Sequence, residues 1–402
     1  MRPIRSTIAL EEAKALVDAA IRPIERTERV ALADTAGRVL AENLVATADV
    51  PPFARAAMDG YAVRAADTTG ATREQPRVLK RIGTVFTGEV SALKVGGGQC
   101  LEIATGAPMP GGADAVVIVE ETDGEASGSV QVYSPVNPGQ NIGPRGADIR
   151  QGQQVLASGT VLTPSRLGAV AALGRASVLV FAQPRVAILS TGNELRDPGE
   201  ALGPGQIYDI NRFTMAAAVA AHGGTPVPHR TASDTLEDLS RAVDECLQDD
   251  ALVFSGGSSV GERDLILDVL SARGELVFHG IAVKPGKPTA FGRISGKPFF
   301  GMPGYPTSCL SNTYMLLVPA LRKMARLPPQ SIKSVALPLG TRVSSAAGRH
   351  QIYTVKIVDG QAIPAFKSSG DITSMSQADG YIEIPASTTV VEAGTVVDVK
   401  LF

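Results

Sequence analysis

In the stretch "STIALEEAKALVDAAI", apolar residues recur at helical spacing as far as Ile21. Thr7 is the expected N-cap, acids occupy the first turn, and Pro23 ends the helix. A short strand and a helix or turn around Asp34 to Leu44 follow. Pro51 and Pro52 break any helix, and from Tyr61 to Val136 the chain becomes short apolar runs split by glycine turns. "VLKRIG", "QCLEIAT", "DAVVIVE" and "SVQVYSP" are the clearest strands of this β-rich region. A glycine-rich connector with hairpins comes next, and "SRLGAVAALG" predicts a short helix that returns the chain to its first domain.

From residue 176 to about 328 strands and helices alternate. "RVAILST", "TPVPHRTA", "DALVFSGG" and "KPFFGMPG" read as strands. "INRFTMAAAVAAHG" predicts a helix closed by Gly223, and "SDTLEDLSRAVDECLQ" one that starts at Ser233 or Asp234. "RDLILDVLSARG" and "PTSCLSNTYMLLVPALRKMA" complete the set, the last capped by Thr307 or Ser308. Strands joined through helices predict a mostly parallel sheet covered on both faces. After Leu327, "SIKSVALPL", "HQIYTVKIV", "QAIPAF", "GYIEIPA" and "TVVDVKLF" predict a compact β sandwich or barrel. The expected fold class is multidomain α/β and β. It has a three-layer α/β/α domain at 176–328 and a β-rich domain at 51–140, inserted in a split N-terminal domain of 1–50 and 141–175. A C-terminal β-barrel-like domain occupies 329–402.

Composition narrows the chemistry. At 402 residues and 44% hydrophobic, with no tryptophan, the chain can fill several aliphatic cores. Lys plus Arg number 38 against 40 acids, so nothing suggests nucleic acid as a partner, although a local cationic pocket remains allowed. Cys100, Cys246 and Cys309 form no CxxC pair, which predicts buried free thiols in a reducing compartment. The first residues lack the apolar block of a signal peptide and no run is long enough to span a bilayer, which together predict a cytoplasmic protein.

Candidate chemistry gathers where apolar strands give way to small polar residues. In open α/β sheets such loops meet at the carboxyl ends of the strands, so "STGNEL", "SGGSSVGERD" and "GMPGYPTS" are expected to face one crevice, joined by "KPGKP". Gly256 and Gly257 expose backbone amides, and Ser255, Ser258 and Ser259 add donors, an arrangement suited to phosphate, with a glycine turn as the other reading. Asp264 and Glu194 read as helix caps or as magnesium ligands beside that anion. Lys284 and Lys287 on a proline-stiffened turn make a phosphate clamp, unless solvent alone screens them. Pro303 and Pro306 precede another helix end. Asp59 and Thr105 lie in polar loops of the β-rich region and by spacing alone are turns. There is no nucleophile elbow, HExxH or dinucleotide fingerprint. The residues alone support an enzyme handling a phosphorylated substrate with a metal's help.

"PPFARAAMDGYAV", "EIATGAPMPGGADAVV", "ILSTGNEL", "SGGSSVGERD", "VKPGKPTAFG" and "GMPGYPTS", in this order, resemble the molybdopterin molybdenumtransferase family, as does "SSGDITSMSQADGYIEIP". The resemblance covers essentially the whole chain. It implies adenylylated molybdopterin and molybdate as substrates, magnesium as cofactor, release of AMP, and molybdenum left on the dithiolene. It also implies an elongated homodimer whose active site is shared between subunits. Transient contacts with the pathway's adenylyltransferase and with molybdoenzyme maturation proteins would follow. Carried over by motif, Glu194, Asp264 and Asp59 match acids for metal and catalysis, and Lys284 matches a catalytic cation. Thr105, Asp148, Asp234, Ser255, Gly256, Gly257, Ser258, Lys287, Pro303, Pro306 and Ser308 match binding positions. Where the family often carries a lysine, this chain has Gly280, leaving His279 as the neighbouring group to replace the cation. Two other readings stay open: the adenylylation step itself, which the extra domains disfavour, and a non-catalytic scaffold.

Overall fold

The computed structural model describes residues 6–124, 128–229, 235–256, 268–269 and 272–402. The chain forms two compact units. One consists of Arg29–Ala36 and Leu40–Val178, the other of the chain up to Glu28, Gly37–Val39 and Leu179–Phe402.

The first unit is built on a six-stranded sheet in the order Ala115–Ile118, Gly60–Val63, Gln99–Ile103, Arg77–Val85, Ser129–Val132, Thr122–Gly124. The pleat sends alternate residues to opposite faces, and each face buries its own cluster. Val63, Leu79, Cys100, Val117 and Val130 fill one. Ala62, Val85, Leu101, Ile103 and Val116 fill the other. The connector supplies only two- and three-residue strands, Ile142–Gly143 and Gln154–Leu156, and the short helix Pro164–Ala172 follows.

The second unit holds a six-stranded sheet ordered Thr225–Pro228, Arg185–Ser190, Ala251–Ser255, Lys297–Met302, Ala290–Ile294, Gly274–His279. The first four strands are mutually parallel, and Ala290–Ile294 runs against both its neighbours. Val186, Ile188, Val253 and Phe300 pack under helices Leu10–Ala20, Asn211–Ala221 and the Pro306–Met324 segment. Ala187, Leu189, Phe254 and Phe299 pack instead against Leu239, Val243 and Cys246 of helix Leu236–Cys246. Helices therefore cover both faces, as parallel strands require.

Val283–Lys284 pairs in parallel with His350–Gln351 and so joins the C-terminal sheet, whose order continues Gly380–Ile384, Val396–Leu401, Ser334–Pro338. Gln361–Pro364 pairs with His350–Val358, and a bridge from Leu339 to Ala362 links it back to the end of Ser334–Pro338. These pairings form a ring around Leu339, Val355, Ile382 and Val399.

Three helix starts differ from expectation. The first helix begins at Leu10 with no side-chain cap. Ile8 instead bridges Ile281, with its amide bonded to Gly280 O, and this pairing carries Thr7 away from the capping position. The helix expected from Ser233 or Asp234 begins at Leu236, where Thr235 accepts from Asp238 N at 3.2 Å. Ser233 and Asp234 lie outside the described residues. Helix Pro306–Asn312 has Tyr305 at its N-cap and no side-chain cap, because Thr307 Oγ1 is bonded to Asp371 O at 2.9 Å. All three cysteines are free and buried, as expected. Among the described residues no helix is long and apolar enough to cross a membrane.

Candidate active site

The parallel strands end in step: Ser190 pairs with Ser255 and Ser255 with Met302. The loops that follow therefore leave one rim of the sheet. Thr191 N donates to Ser255 O at 2.9 Å, and Gly256 follows with φ +102°. A Cβ at Gly256 would stand 2.2 Å from Thr191 O, so only glycine serves there. Glu194 is held by its own carbonyl, which accepts from Ile207 N at 2.9 Å, leaving the carboxylate exposed.

The lysine loop is fixed from behind. Fully buried Asn312 donates Nδ2 to Gly286 O at 2.8 Å and to Thr289 Oγ1 at 2.5 Å. Lys287 O accepts from Ile281 N and Thr289 N. The backbone is thus set while, among the described residues, neither the Lys284 nor the Lys287 ammonium meets a carboxylate. Unpaired cations on a rigid turn favour an anion between or beside them.

These loops surround one cleft of about 1110 Å³. Glu194, Ser255, Gly256, Lys284 and Lys287 line it. Pro303, Pro306 and Ser308 line it too. The structure also brings in residues that the sequence reading did not assign: Asp209, Tyr305, Arg349 and Lys367. Lys367 arrives because Thr307 N donates to Ser369 O at 3.1 Å, and Arg349 because its neighbour His350 pairs with Val283. Four cationic side chains and the bare strand ends suit a polyanionic ligand of several groups.

Gly280 does not line this cleft, and neither does His279. Burial pushes the His279 pKa down, which disfavours the cation that would replace a lysine ammonium. Gly280 itself has φ +103°, a conformation in which a lysine would be strained. Asp234, Gly257, Ser258 and Asp264 lie outside the described residues.

The other unit brings Asp59 and Thr105 together. Asp59 Oδ1 accepts from Thr105 N at 2.7 Å, and this bond holds the carboxyl below its usual range. Asp59 therefore presents an ionised, exposed carboxylate fixed in place. Asp148 has an exposed side chain and donates its amide to Val50 O.

Three family models match in sequence: the MoeA N-terminal region (domain I and II) over residues 8–174, a probable molybdopterin binding domain over 187–323, and the MoeA C-terminal region (domain IV) over 336–402. Molybdopterin molybdenumtransferase 2 of Mycobacterium tuberculosis is 36% identical over 387 residues, 94% of each chain. Molybdopterin molybdenumtransferase of Staphylococcus aureus is 31% identical, covering 92% of this chain and 90% of its own. The solved structure of a molybdopterin biosynthesis MoeA protein from Pyrococcus horikoshii superimposes with a TM-score of 0.79 at 33% identity, over 99% of this chain and 100% of that one. With three family models in order along it and a relative 36% identical over 94% of its length, the chain belongs to the MoeA family.

Proposed function

We propose that this chain is a molybdopterin molybdenumtransferase that takes adenylylated molybdopterin and molybdate, releases AMP and leaves molybdenum on the pterin dithiolene. The observation that carries the reading is the cleft at the strand ends, which Lys284 and Lys287, meeting no carboxylate among the described residues, line together with the Ser255–Gly256 turn. A substrate with a phosphoanhydride, met by an incoming oxyanion, needs that density of donors.

In this mechanism Lys284 and Lys287 neutralise the phosphoanhydride, and the Ser255–Gly256 turn, with Gly257 and Ser258 next in sequence, holds a phosphate through amides and hydroxyls. Pro303, Pro306 and Ser308 shape the wall, and Asp148 and Asp234 contribute to substrate binding. Asp59, with Thr105 fixing it, or Asp264 positions the oxygen of water or molybdate that attacks phosphorus. The P–O bond to AMP breaks as the new P–O bond forms, and AMP leaves with the bridging oxygen; molybdenum, unchanged in oxidation state, gains two Mo–S bonds as one oxo ligand departs as water with the two thiol protons. Among the described residues no group of three or more acids, histidines or cysteines could hold a metal by itself. That fits magnesium, which takes one or two carboxylates and completes its shell with phosphate and water. One or two of Glu194, Asp264 and Asp59 would hold it, and it would supply charge neutralisation at the phosphoanhydride.

We further read a homodimer in which Asp59 and Thr105 of one subunit serve the cleft of the other, with four domains at 1–50 plus 141–175, 51–140, 176–328 and 329–402. The three family matches fall in a compatible order. The deciding experiment mixes purified protein with adenylylated molybdopterin, magnesium and molybdate. AMP release with pterin-bound molybdenum is expected; no AMP at any metal or molybdate concentration refutes the reading. Adenylylated pterin accumulating from ATP and bare molybdopterin would assign the chain to the preceding step instead.

A further inference from the structure

The turn from Lys284 to Lys287 carries two of the cleft's cations, and its backbone is anchored at each end and at its apex. Lys284 is held as a strand residue paired with Gln351. Lys287 O accepts from Ile281 N at 3.0 Å and from Thr289 N at 2.9 Å. Between them, Gly286 O accepts from Thr289 Oγ1 at 2.9 Å and from Asn312 Nδ2 at 2.8 Å. Thr289 and Asn312 are both fully buried, and neither lines the cleft. Whatever they do for a ligand, they do through the turn.

The amide of Asn312 has one workable orientation. Thr289 uses its hydroxyl proton on Gly286 O, so its oxygen accepts from Asn312 Nδ2 at 2.5 Å. Exchanging the amide atoms would set Asn312 Oδ1 against Gly286 O, which cannot donate. The arrangement is costly where it stands. Asn312 Oδ1 is buried with no hydrogen-bond partner among the described residues. Gly286 O is already served by Thr289, so an apolar side chain at position 312 would leave no orphaned oxygen behind. Folding alone therefore gives little reason for an asparagine here. Gly286 gives another: its φ is +106°, and a Cβ there would stand 2.3 Å from Asn312 Nδ2. A turn with glycine at its apex has many shapes open to it, and Asn312 restricts it to one. Asn312 also ends the helix Pro306–Asn312, whose first turn supplies Pro306 and Ser308 to the cleft wall. One short helix thus carries the wall at its start and the clasp on the lysine turn at its end.

We propose that Asn312, acting with Thr289 through Gly286 O, is a positioning residue that sets the spacing of Lys284 and Lys287, so that the two cations engage adjacent phosphoryl groups of one phosphoanhydride. The proposal rests on the reading of these lysines as the groups that neutralise the phosphoanhydride. Cations held at a set spacing favour a ligand with two linked anionic groups, because the ordering is done before the ligand arrives.

The test is binding of inorganic pyrophosphate and of inorganic phosphate to the full-length protein, by calorimetry in magnesium-free buffer. Charge alone favours pyrophosphate. The decisive quantity is the share of that preference lost when both lysines remain and the clasp is removed. Asn312→Leu and Thr289→Val are each expected to reduce the preference about fivefold, while Thr289→Ser, which keeps the hydroxyl, retains it. Lys287→Met is expected to cost about tenfold in pyrophosphate affinity in the unaltered background and only about threefold in Asn312→Leu, since a misplaced cation contributes little. A merely structural role lowers the thermal midpoint and leaves the preference and this coupling unchanged, and that result overturns the proposal. So does a Thr289→Ser protein as impaired as Thr289→Val, or an unaltered protein that binds pyrophosphate no more tightly than phosphate. Should Asn312→Leu fail to fold, the two Thr289 variants decide. AMP release separates this inference from the proposed reaction. An unaltered preference in the variants, with AMP released by the unaltered protein, sinks the inference alone. A preference lost in the variants, with no AMP released by any of the proteins, removes the reaction and leaves the clasp standing.

Discussion

Asp59 Oδ1 accepts a hydrogen bond from the backbone amide of Thr105 at 2.7 Å, across 46 residues of sequence. The two loops meet because Gly60–Val63 and Gln99–Ile103 are antiparallel neighbours whose pairing starts at Gly60 and Ile103. The bond fixes the carboxylate's position and favours its ionised form. Asparagine keeps an acceptor for the Thr105 amide and removes the charge. Asp59→Asn is therefore expected to fold normally and to lose about 100-fold or more in AMP release, with a smaller change in KM. A variant with undiminished turnover would remove Asp59 from the mechanism.

If Asp59 serves the partner's cleft, two inactive variants can complement each other. Asp59→Asn and Lys284→Met are each expected to be inactive alone. After subunit exchange, half the dimers are mixed, and each mixed dimer carries one site with both native groups. Activity should return to about a quarter of the unaltered protein's. No recovery, with exchange verified by mass, would place Asp59 and Lys284 in the same subunit's site or outside it.

Gly256 offers a test of the strand-end turn. Its φ of +102° and the 2.2 Å approach of Thr191 O leave no room for a methyl group. Gly256→Ala is expected to cost about 2 kcal/mol or more, seen as a lower urea midpoint, and to weaken phosphate-bearing ligands. The same substitution at Gly174, φ +69° with nothing within 4 Å, should cost less because only the conformational part applies.

Burial pushes the Cys100 and Cys246 thiols up to about 12 and raises Cys309 as well. Since the thiolate is the reactive form, the native protein should resist alkylation at neutral pH and titrate three thiols only after unfolding. Rapid labelling of native protein would show that one of these cores opens readily.

The cleft was legible in sequence as far as its loops follow apolar strands. Gly256 and Pro303 come directly after such a run and Glu194 four residues past one, and parallel pairing then brings the strand ends level. Arg349 and Lys367 were not legible. They sit in β-rich sequence far downstream, and only the Val283–His350 pairing and the Thr307–Ser369 bond carry them to the cleft. "SSGDITSMSQADG" marked that segment by resemblance, without assigning its neighbour Lys367 a role. Helix starts failed for a related reason: Ile8 and Thr307 are claimed by tertiary partners that no local window contains. The long final helix is interrupted by a π segment at Thr313–Leu317, where Thr313 Oγ1 bonds Cys309 O at 2.9 Å and competes with the helical ladder.

The C-terminal sheet carries its own acid-sensitive contact. His350 Nε2 at 3.4 Å and Lys400 Nζ at 2.7 Å hold the Glu383 carboxyl down to about 2, against desolvation that acts the other way. A carboxylate with a lowered pKa stabilises the fold fully above its unfolded value and loses that contribution as pH falls through its folded value. For Glu383 the window runs from 4.5 down to about 2. Glu383→Gln is therefore expected to lower stability near neutral pH and to flatten its dependence on pH within that window. Both proteins should converge at the acid end, in equilibrium urea unfolding followed across the range. Parallel curves, offset equally at every pH, would show that Glu383 contributes through packing and not through its charge.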